Sequence, residues 1–514
     1  MGAQWIKKVL GGSLLRRNSS NNNTSPPNQT DQSLVISKDL EQNINQIKQS
    51  LGEPFDFTSK IYSFKNTAFA LCYIEGMIST EDIERNVIPP LMDWFKENGS
   101  ARDCVIKDFK QHIQTPKKLK ITTEFSEMIQ FLLRGHVILF VHNGREAYLI
   151  SDQHWETRSI EEPSSQTMVR GPREGFVETL SINSTLIRRR ITNPKLRFKT
   201  FIVGEVTQTT VIVTYIEGLV NEEALNIACQ RITDCKTQEV FETGMLEELI
   251  EDKGYSPFPT LIDTERPDVV CAALTEGKLA IMMEGTPFAL IGPATLISYF
   301  QTAEDYYNRF DLSTFLRLIR FIAFWIAFAL PATFVALTTY HQELIPTDLL
   351  ISLAAQREGL PFPALMEALV MEGVFEILRE AGIRMPRPIG PAVSIVGAIV
   401  IGEAAVSAGL VSPAIVIVVS LTAISSFANP YYSIAGSNRM LRFILMLFAA
   451  FAGIFGMFIF TMVICIHLVS LKSLGQPYMA PFAPFSLKKQ KDTILRFPLW
   501  WSKRKERRNG EVLK

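Results

Sequence analysis

The sequence predicts an α/β soluble N-terminal region of two tandem similar subdomains, followed by an all-α polytopic membrane domain. Three observations predict it. Lys plus Arg and Asp plus Glu balance at 52 each, yet nearly all charge lies before Arg320, in two short later stretches and after Lys472. The string Tyr-Ile-Glu-Gly occurs twice, at Tyr73–Gly76 and at Tyr215–Gly218. Phe321–Tyr340 then carries no charged residue over a length that fits one bilayer crossing.

Taken in order, residues 1–50 are expected to be a basic arm and disordered linker. Met1–Arg17 is short and basic and does not read as a signal peptide. Asn18–Gln32 is rich in Asn, Ser, Thr and Pro and cannot bury a core. Subdomain 1, residues 55–160, shows an apolar run at Ala68–Ile74 ending in Glu75-Gly76. Ser79 then caps a helix with Glu81 and Asp82 in its first turn. Subdomain 2, residues 195–295, repeats the pattern at Val211–Ile216, with Asn221 as cap and Glu222 and Glu223 behind it. The register persists downstream. Gly135 matches Gly277, and the turns Asn143-Gly144 and Glu284-Gly285 each separate two apolar runs, a hairpin signal. By this repeat the first half of Pro287–Phe300 is a strand, and its second half a helix leading into the membrane.

The connector, residues 161–194, holds Gly-Pro-Arg-Glu-Gly-Phe from Gly171 and the run Arg188, Arg189, Arg190. That run reads either as an assembly or lipid-facing basic patch or as a solvated helix face paired with nearby glutamates. Catalytic chemistry is not indicated. No phosphate loop occurs, the six cysteines lack zinc-like spacing, and His136, His142 and His154 stand near no nucleophile, so they read as structural. No metal, no cofactor and no nucleic acid is implied, and the chain does not read as an enzyme.

Residues 296–475 form the expected membrane domain, with four crossings: Phe321–Tyr340, a helical hairpin from Ile389 to Ser437 that turns near Gly409–Pro413, and a last span from Phe443 to about Leu471. Between them, Glu372, Glu376 and Glu380 make one acidic stripe at i, i+4 spacing, either at the interface or along an aqueous path. Residues 476–514 form a basic tail. Lys and Arg distribution puts both the soluble half and this tail on the cytoplasmic side, but then leaves Arg384, Arg387, Arg439 and Arg442 outside.

The helix from Ile389 to Leu410 has the least ordinary composition. Ala398 with Gly402 and Ala405 with Gly409 are small residues at packing spacing. Val393, Val396 and Val400 share a face, and Glu403 lies well inside the apolar stretch. Together they suit a pore wall, with an apolar gate beside a cation-attracting acid. The other reading of Glu403 is a buried pair with an arginine of a neighbouring helix.

Five strings carry a family resemblance: Gly171–Leu180 (GPREGFVETL), Leu186–Ile191 (LIRRRI), Arg387–Pro413 (RPIGPAVSIVGAIVIGEAAVSAGLVSP), Leu421–Pro430 (LTAISSFANP) and Pro477–Phe485 (PYMAPFAPF), followed by Asp492 and Arg496. Over about residues 55–500 the chain resembles the A subunits of GerA-type spore germinant receptors. The resemblance implies a membrane protein of the inner membrane of dormant spores, working with a transporter-like, nutrient-binding B subunit and a lipoprotein C subunit. It further implies a homo-oligomeric ring, a pentamer, that acts as a nutrient-gated cation channel. Two other readings stand beside it: a non-conducting assembly and signalling subunit, and a secondary transporter. The transporter predicts inverted repeats in the membrane, whereas the repeat found here is in the soluble half.

Overall fold

A computed structural model describes residues 35–64, 67–97, 119–151, 163, 166, 168–252, 254–385, 402–485 and 492–498. Two five-stranded sheets follow one another along the chain. The first contains β1 (Phe57–Phe64), β2 (Thr67–Ile74), β3 (Leu119–Thr122), β4 (His136–Val141) and β5 (Ala147–Ser151). The second contains β6 (Leu196–Val203), β7 (Thr209–Ile216), β8 (Ile262–Thr264), β9 (Leu279–Met283) and β10 (Ala289–Gly292). The orders β1-β2-β4-β5-β3 and β6-β7-β9-β10-β8 are one arrangement used twice. Register repeats too: Phe57 faces Ile74 as Leu196 faces Ile216, and Phe140 faces Ala147 as Met282 faces Ala289.

Alternation of side chains along a strand decides which helices each face covers. Ala70, Cys72 and Ile74 of β2 pack with the helices Leu40–Leu51 and Phe125–Leu132. Phe69, Leu71 and Tyr73 point the other way, onto Ile83 and Leu91 of the helices Thr80–Asn86 and Ile88–Glu97 and onto Val87 between them. The second sheet is covered in the same manner. Val211 and Val213 meet the helices Glu222–Asp234 and Thr243–Ile250, while Ile212 and Ile216 meet Leu180–Arg190 and Pro267–Thr275.

The unstructured arm expected over residues 1–50 ends earlier than that. Leu40, Ile44, Ile47 and Leu51 make a buried helical stripe, capped by the Asp39 carboxylate and ended by Gly52 in the left-handed region. This helix belongs to the repeat. Its Asn43 side chain bonds both backbone groups of Ser37, at 2.8 and 2.7 Å. Asn183 brackets Val177 in the same way, at 2.9 and 2.6 Å. The Arg-rich helix of the connector is therefore the leading helix of the second unit.

After β10 the chain does not run straight into a membrane helix, as the sequence had suggested. Leu296–Phe300 is a buried 3-10 turn of the second unit, tied down by the Tyr299 hydroxyl, which donates to Pro259 O and Leu261 O at 2.9 and 2.8 Å. A single turn, Glu304–Tyr307, then leads to the helix Phe310–Thr339. Ala327, Ala332 and Ala336 are buried along it, letting neighbouring helices approach closely. Pro331 lacks an N–H and leaves the Ala327 carbonyl without its helical partner. Arg442 of another helix donates to that carbonyl at 3.4 Å.

The last apolar element, Tyr432–Ser470, is not the single span expected from Phe443 to Leu471. Ala452 and Gly453 leave helical geometry, Gly453 at φ 59°. Phe448 and Phe460, twelve residues apart, stack with centroids 5.0 Å apart, so the chain reverses between them. The Tyr340 hydroxyl donates to Phe451 O at the turn, at 3.0 Å. Both arms lead back to the second subdomain, where Ser437 bonds Pro257 O and His467 lies 2.9 Å from the Ser256 hydroxyl. Only a glycine tolerates this fold-back, because φ is positive and a Cβ on Gly453 would overlap His341.

The turns at Gly76 and Gly218 occupy equivalent places, at φ 78° and 82°. A Cβ on Gly76 would overlap the Thr185 hydroxyl of the second unit's leading helix, while Gly218 is open. Alanine at either position is expected to cost about 1–2 kcal/mol for the left-handed backbone. Gly76→Ala is expected to lower the unfolding midpoint of the full chain further than Gly218→Ala, the excess reporting on unit-to-unit packing. Equal effects in thermal unfolding would contradict that reading of the contact.

Candidate functional site

Two clusters of buried charge join parts of the chain that lie far apart in sequence. The first is the elbow where the soluble half meets the helix Phe310–Thr339. Asp305 is 1 % exposed and receives Arg317 at 2.7 Å and Arg320 on its other oxygen. Burial pushes this carboxyl up, but hydrogen bonds from Arg320 and Arg317 outweigh it and hold Asp305 below the ordinary value. Its stabilising effect is present above the ordinary carboxylate range and is lost as pH falls through the lowered value. Arg317 also reaches Asp492 of the tail at 2.8 Å, and Arg496 donates to Asn308 O at 2.6 Å. The tail segment thus straps the elbow.

On the other side of the elbow, Arg266 holds Asp268 through two bonds, at 3.1 and 3.0 Å, and donates to Pro172 O at 2.8 Å. The Tyr307 hydroxyl donates to the same Asp268 at 2.6 Å. A Cβ on Gly171 would lie 2.9 Å from the Tyr307 ring, so the connector packs its glycine flat against the elbow. Phe176 N donates to Glu265 O at 2.7 Å, fastening the rest of that motif. Nearby, burial first and then the charges of Asp263, Glu251 and Glu242 push Glu247 up to about 8. Asp263 accepts from Ser433 of the hairpin at 3.2 Å.

The second cluster lies inside the helical bundle, on the helix Ala364–Arg384. Glu372 is 1 % exposed, and Arg442, equally buried, approaches it to 2.9 Å. That contact is an ion pair out of hydrogen-bond alignment. Arg442 also reaches Glu376 at 3.2 Å, and Arg379 and Arg439 converge on Glu376 as well. One turn earlier, Glu367 accepts the Ser412 N–H at 2.9 Å and so caps the helix Pro413–Phe427 from a neighbouring helix. Glu380 pairs with Arg384 at 2.7 Å on the exposed side.

The acidic stripe Glu372, Glu376 and Glu380 thus runs from the bundle interior to its surface. Among the described residues its inner part faces arginines. Arg439 and Arg442, out of place by the loop-charge rule, are neutralised here instead. Arg188 is buried rather than lipid-facing, held by Asp56 through bonds of 2.6 and 2.8 Å. Arg190 pairs with Glu174 at 2.6 Å and Arg189 lies 3.7 Å from it, so the run joins the two units and the connector. Val393, Val396, Val400 and Ala398 lie outside the described residues. Gly402 is buried, and a Cβ on it would sit 3.6 Å from Val416. Ala405 packs against the core, and Gly409, at φ 63°, ends its helix. Glu403 is exposed and has no ion pair or hydrogen bond among the described residues, so the arginine partners went to other glutamates.

Sequence reading missed Asp305, Asp268 and Glu367, which belong to no i, i+4 acidic series. For Arg439 and Arg442 a signal existed: their i, i+3 spacing matches the i, i+4 glutamates of another helix.

Comparison with known proteins gives the rest. The profile of the "Bacillus/Clostridium GerA spore germination protein" family matches residues 45–508. The chain belongs to the GerA spore germination protein family. Spore germination protein KA of Bacillus subtilis (strain 168) is 43 % identical over 480 residues, 93 % of this chain and 88 % of that one. Spore germination protein GerLA of Bacillus cereus is 38 % identical over 90 % of this chain and 94 % of its own length. The crystal structure of the N-terminal domain of the A subunit of the Bacillus megaterium spore germinant receptor GerK3 aligns at 27 % identity. It covers 52 % of this chain and 99 % of that one, with a TM-score of 0.42.

Three substitutions test the clusters of this GerA-family chain. Arg442→Ala leaves buried carboxylates without their guanidinium and is expected to cost about 3–5 kcal/mol in thermal unfolding of the full chain. Arg384→Ala, at an exposed pair, is expected to change stability by less than about 1 kcal/mol. The raised Glu247 carboxyl makes the folded state bind the proton more tightly, so this group lowers stability as pH climbs from the ordinary carboxyl value to about 8. Glu247→Gln should therefore raise the unfolding midpoint at pH 8 and leave it nearly unchanged at pH 4.

Proposed function

We propose that this chain is the A subunit of a spore nutrient germinant receptor, and that several copies in the spore inner membrane enclose a nutrient-gated cation path. The named relatives support the receptor role. The observation that carries the channel reading is Glu403, an exposed carboxylate in an otherwise uncharged apolar stretch with no partner among the described residues. Lipid is a costly neighbour for it, so water or another subunit faces it. Small residues around it leave room for close helix packing and for an ion path. The valines Val393, Val396 and Val400 are the proposed apolar gate on the same helix.

The partners are a transporter-like B subunit that binds the nutrient and a lipoprotein C subunit. Nutrient binding shifts a closed–open equilibrium of the A-subunit ring, a pentamer, and the elbow carries that shift between soluble and membrane halves. The start of the first spanning helix and the end of the hairpin both lie at the second subdomain. That supports an even number of crossings, and the Lys and Arg distribution supports the cytoplasmic side for both the soluble half and the tail.

The test is nutrient-triggered potassium release from spores carrying Glu403→Gln or Val396→Ala, at normal receptor abundance. Glu403→Gln is expected to slow triggered release or alter ion preference, and Val396→Ala to release potassium without nutrient. If neither changes resting or triggered release, the non-conducting assembly reading takes precedence.

A further inference from the structure

The duplicated sheets differ at one core position that the receptor reading leaves unexplained. Gly292 ends β10 opposite Leu279, and Ile150 stands at the same place in the first unit, opposite Val137. Ile150 is 2 % exposed and shares a core with Leu119, Val137 and Leu139. Gly292 brings no side chain to the matching core. Its φ lies outside the left-handed region, so the backbone does not require a glycine there.

The space that Gly292 leaves is filled from the membrane domain. A Cβ on Gly292 would lie 2.6 Å from Leu474 Cδ1 and 2.7 Å from Leu261 Cδ2. Leu474 is 1 % exposed and belongs to the second unit's core with Leu261, Leu279 and Leu290. It stands in the turn between the paired segments Lys472–Ser473 and Gln476–Pro477, directly after the return arm of the hairpin. Ser473 fastens this turn, donating to Thr260 O at 2.6 Å and accepting from Ala294 N at 2.8 Å.

Backbone preference runs against both residues. Leu474 and Gly475 have φ of 44° and 80°, the paired positive values of a turn that favours Asn-Gly or Gly-Gly. A leucine thus holds a position suited to glycine, while a glycine holds a strand position where the first unit has isoleucine. Fit between the two accounts for both, the strain being kept for the sake of the leucine side chain.

We propose that Leu474 is a positioning residue, a peg by which the return arm of the hairpin and the second soluble unit move together when the receptor responds. The first unit completes its core with its own Ile150. The second completes its core with a residue of the membrane domain, and so is tied to that domain. The response part of this proposal rests on the receptor reading but needs no ion-conducting ring.

The deciding variant is Gly292→Ile with Leu474→Gly. It gives the second unit the isoleucine of the first and relaxes the turn, so the core stays filled while the peg is gone. A leucine that merely fills space predicts native behaviour here. Nitroxides on the natural, exposed Cys465 of the return arm and on Glu248→Cys of the helix Thr243–Ile250 report the distance between the two bodies. The full chain is used, with Cys104→Ser and Cys235→Ser. The distance distribution is expected to broaden about twofold in the double variant, as a segment released from its packing samples more states. Potassium release from spores given a mixture of L-amino acids and D-glucose is expected to slow about tenfold, the size of an ordinary coupling between sites. Native width or native release in the double variant overturns the peg. Should that variant not fold, Leu474→Gly alone is judged by the same distance, an unchanged width again overturning the peg. Spores lacking this chain that release potassium like native ones overturn the receptor reading instead, and the distance alone then decides the peg.

Discussion

Arg317 and Arg320 grip the buried carboxylate of Asp305 from two sides, and the joining of the soluble and membrane halves depends on that contact. A carboxylate in this setting persists as a charge only when it is paired. The arginines come from the first turns of the spanning helix and the acid from the turn before it, so the pairing fixes how the helix leaves the soluble half. Asp492 then reaches the same Arg317 from the far end of the chain. Entry and exit of the membrane domain are thereby bound to one guanidinium.

The same economy appears within the bundle. Helix-breaking Pro331 leaves a carbonyl exposed in an apolar setting, and Arg442 answers it while also facing Glu372 and Glu376. Glu367 caps a neighbouring helix whose own N-cap residue, Ser412, makes no side-chain cap. Arg442 and Glu367 each reach a backbone group at a break in helical regularity, which is where low-dielectric surroundings most penalise an unmet hydrogen bond.

Duplication shapes the soluble half differently. The two units share strand order, register and the asparagine bracket at their leading helices, yet the surfaces that face each other diverged. Arg188 of the second unit enters the first and binds Asp56, while Thr185 closes over Gly76. The equivalent turn at Gly218 stays open. The second unit also shares one continuous apolar core with the bundle, through Tyr299, Tyr431 and Tyr478, whereas the first keeps cores of its own. The second unit is thus packed directly onto the bundle.

The repeat, the hairpins, the helical membrane half and the charge-free first span were all legible in the sequence, because period and composition are local properties of a chain. The helix Leu40–Leu51 was legible too, from its stripe of Leu40, Ile44, Ile47 and Leu51 between Asp39 and Gly52, but the polar composition around it masked the signal. The partners of the charges were not legible. Whether Arg188 meets lipid or Asp56, and whether Glu376 faces water or three arginines, depends on which distant segments pack together. Likewise the reversal at Gly453 looks in sequence like one more glycine of an apolar span. By itself the sequence determined what must be buried and at what spacing. The tertiary structure alone decided which buried charge answers which, since ion pairing is set by distance in space rather than along the chain.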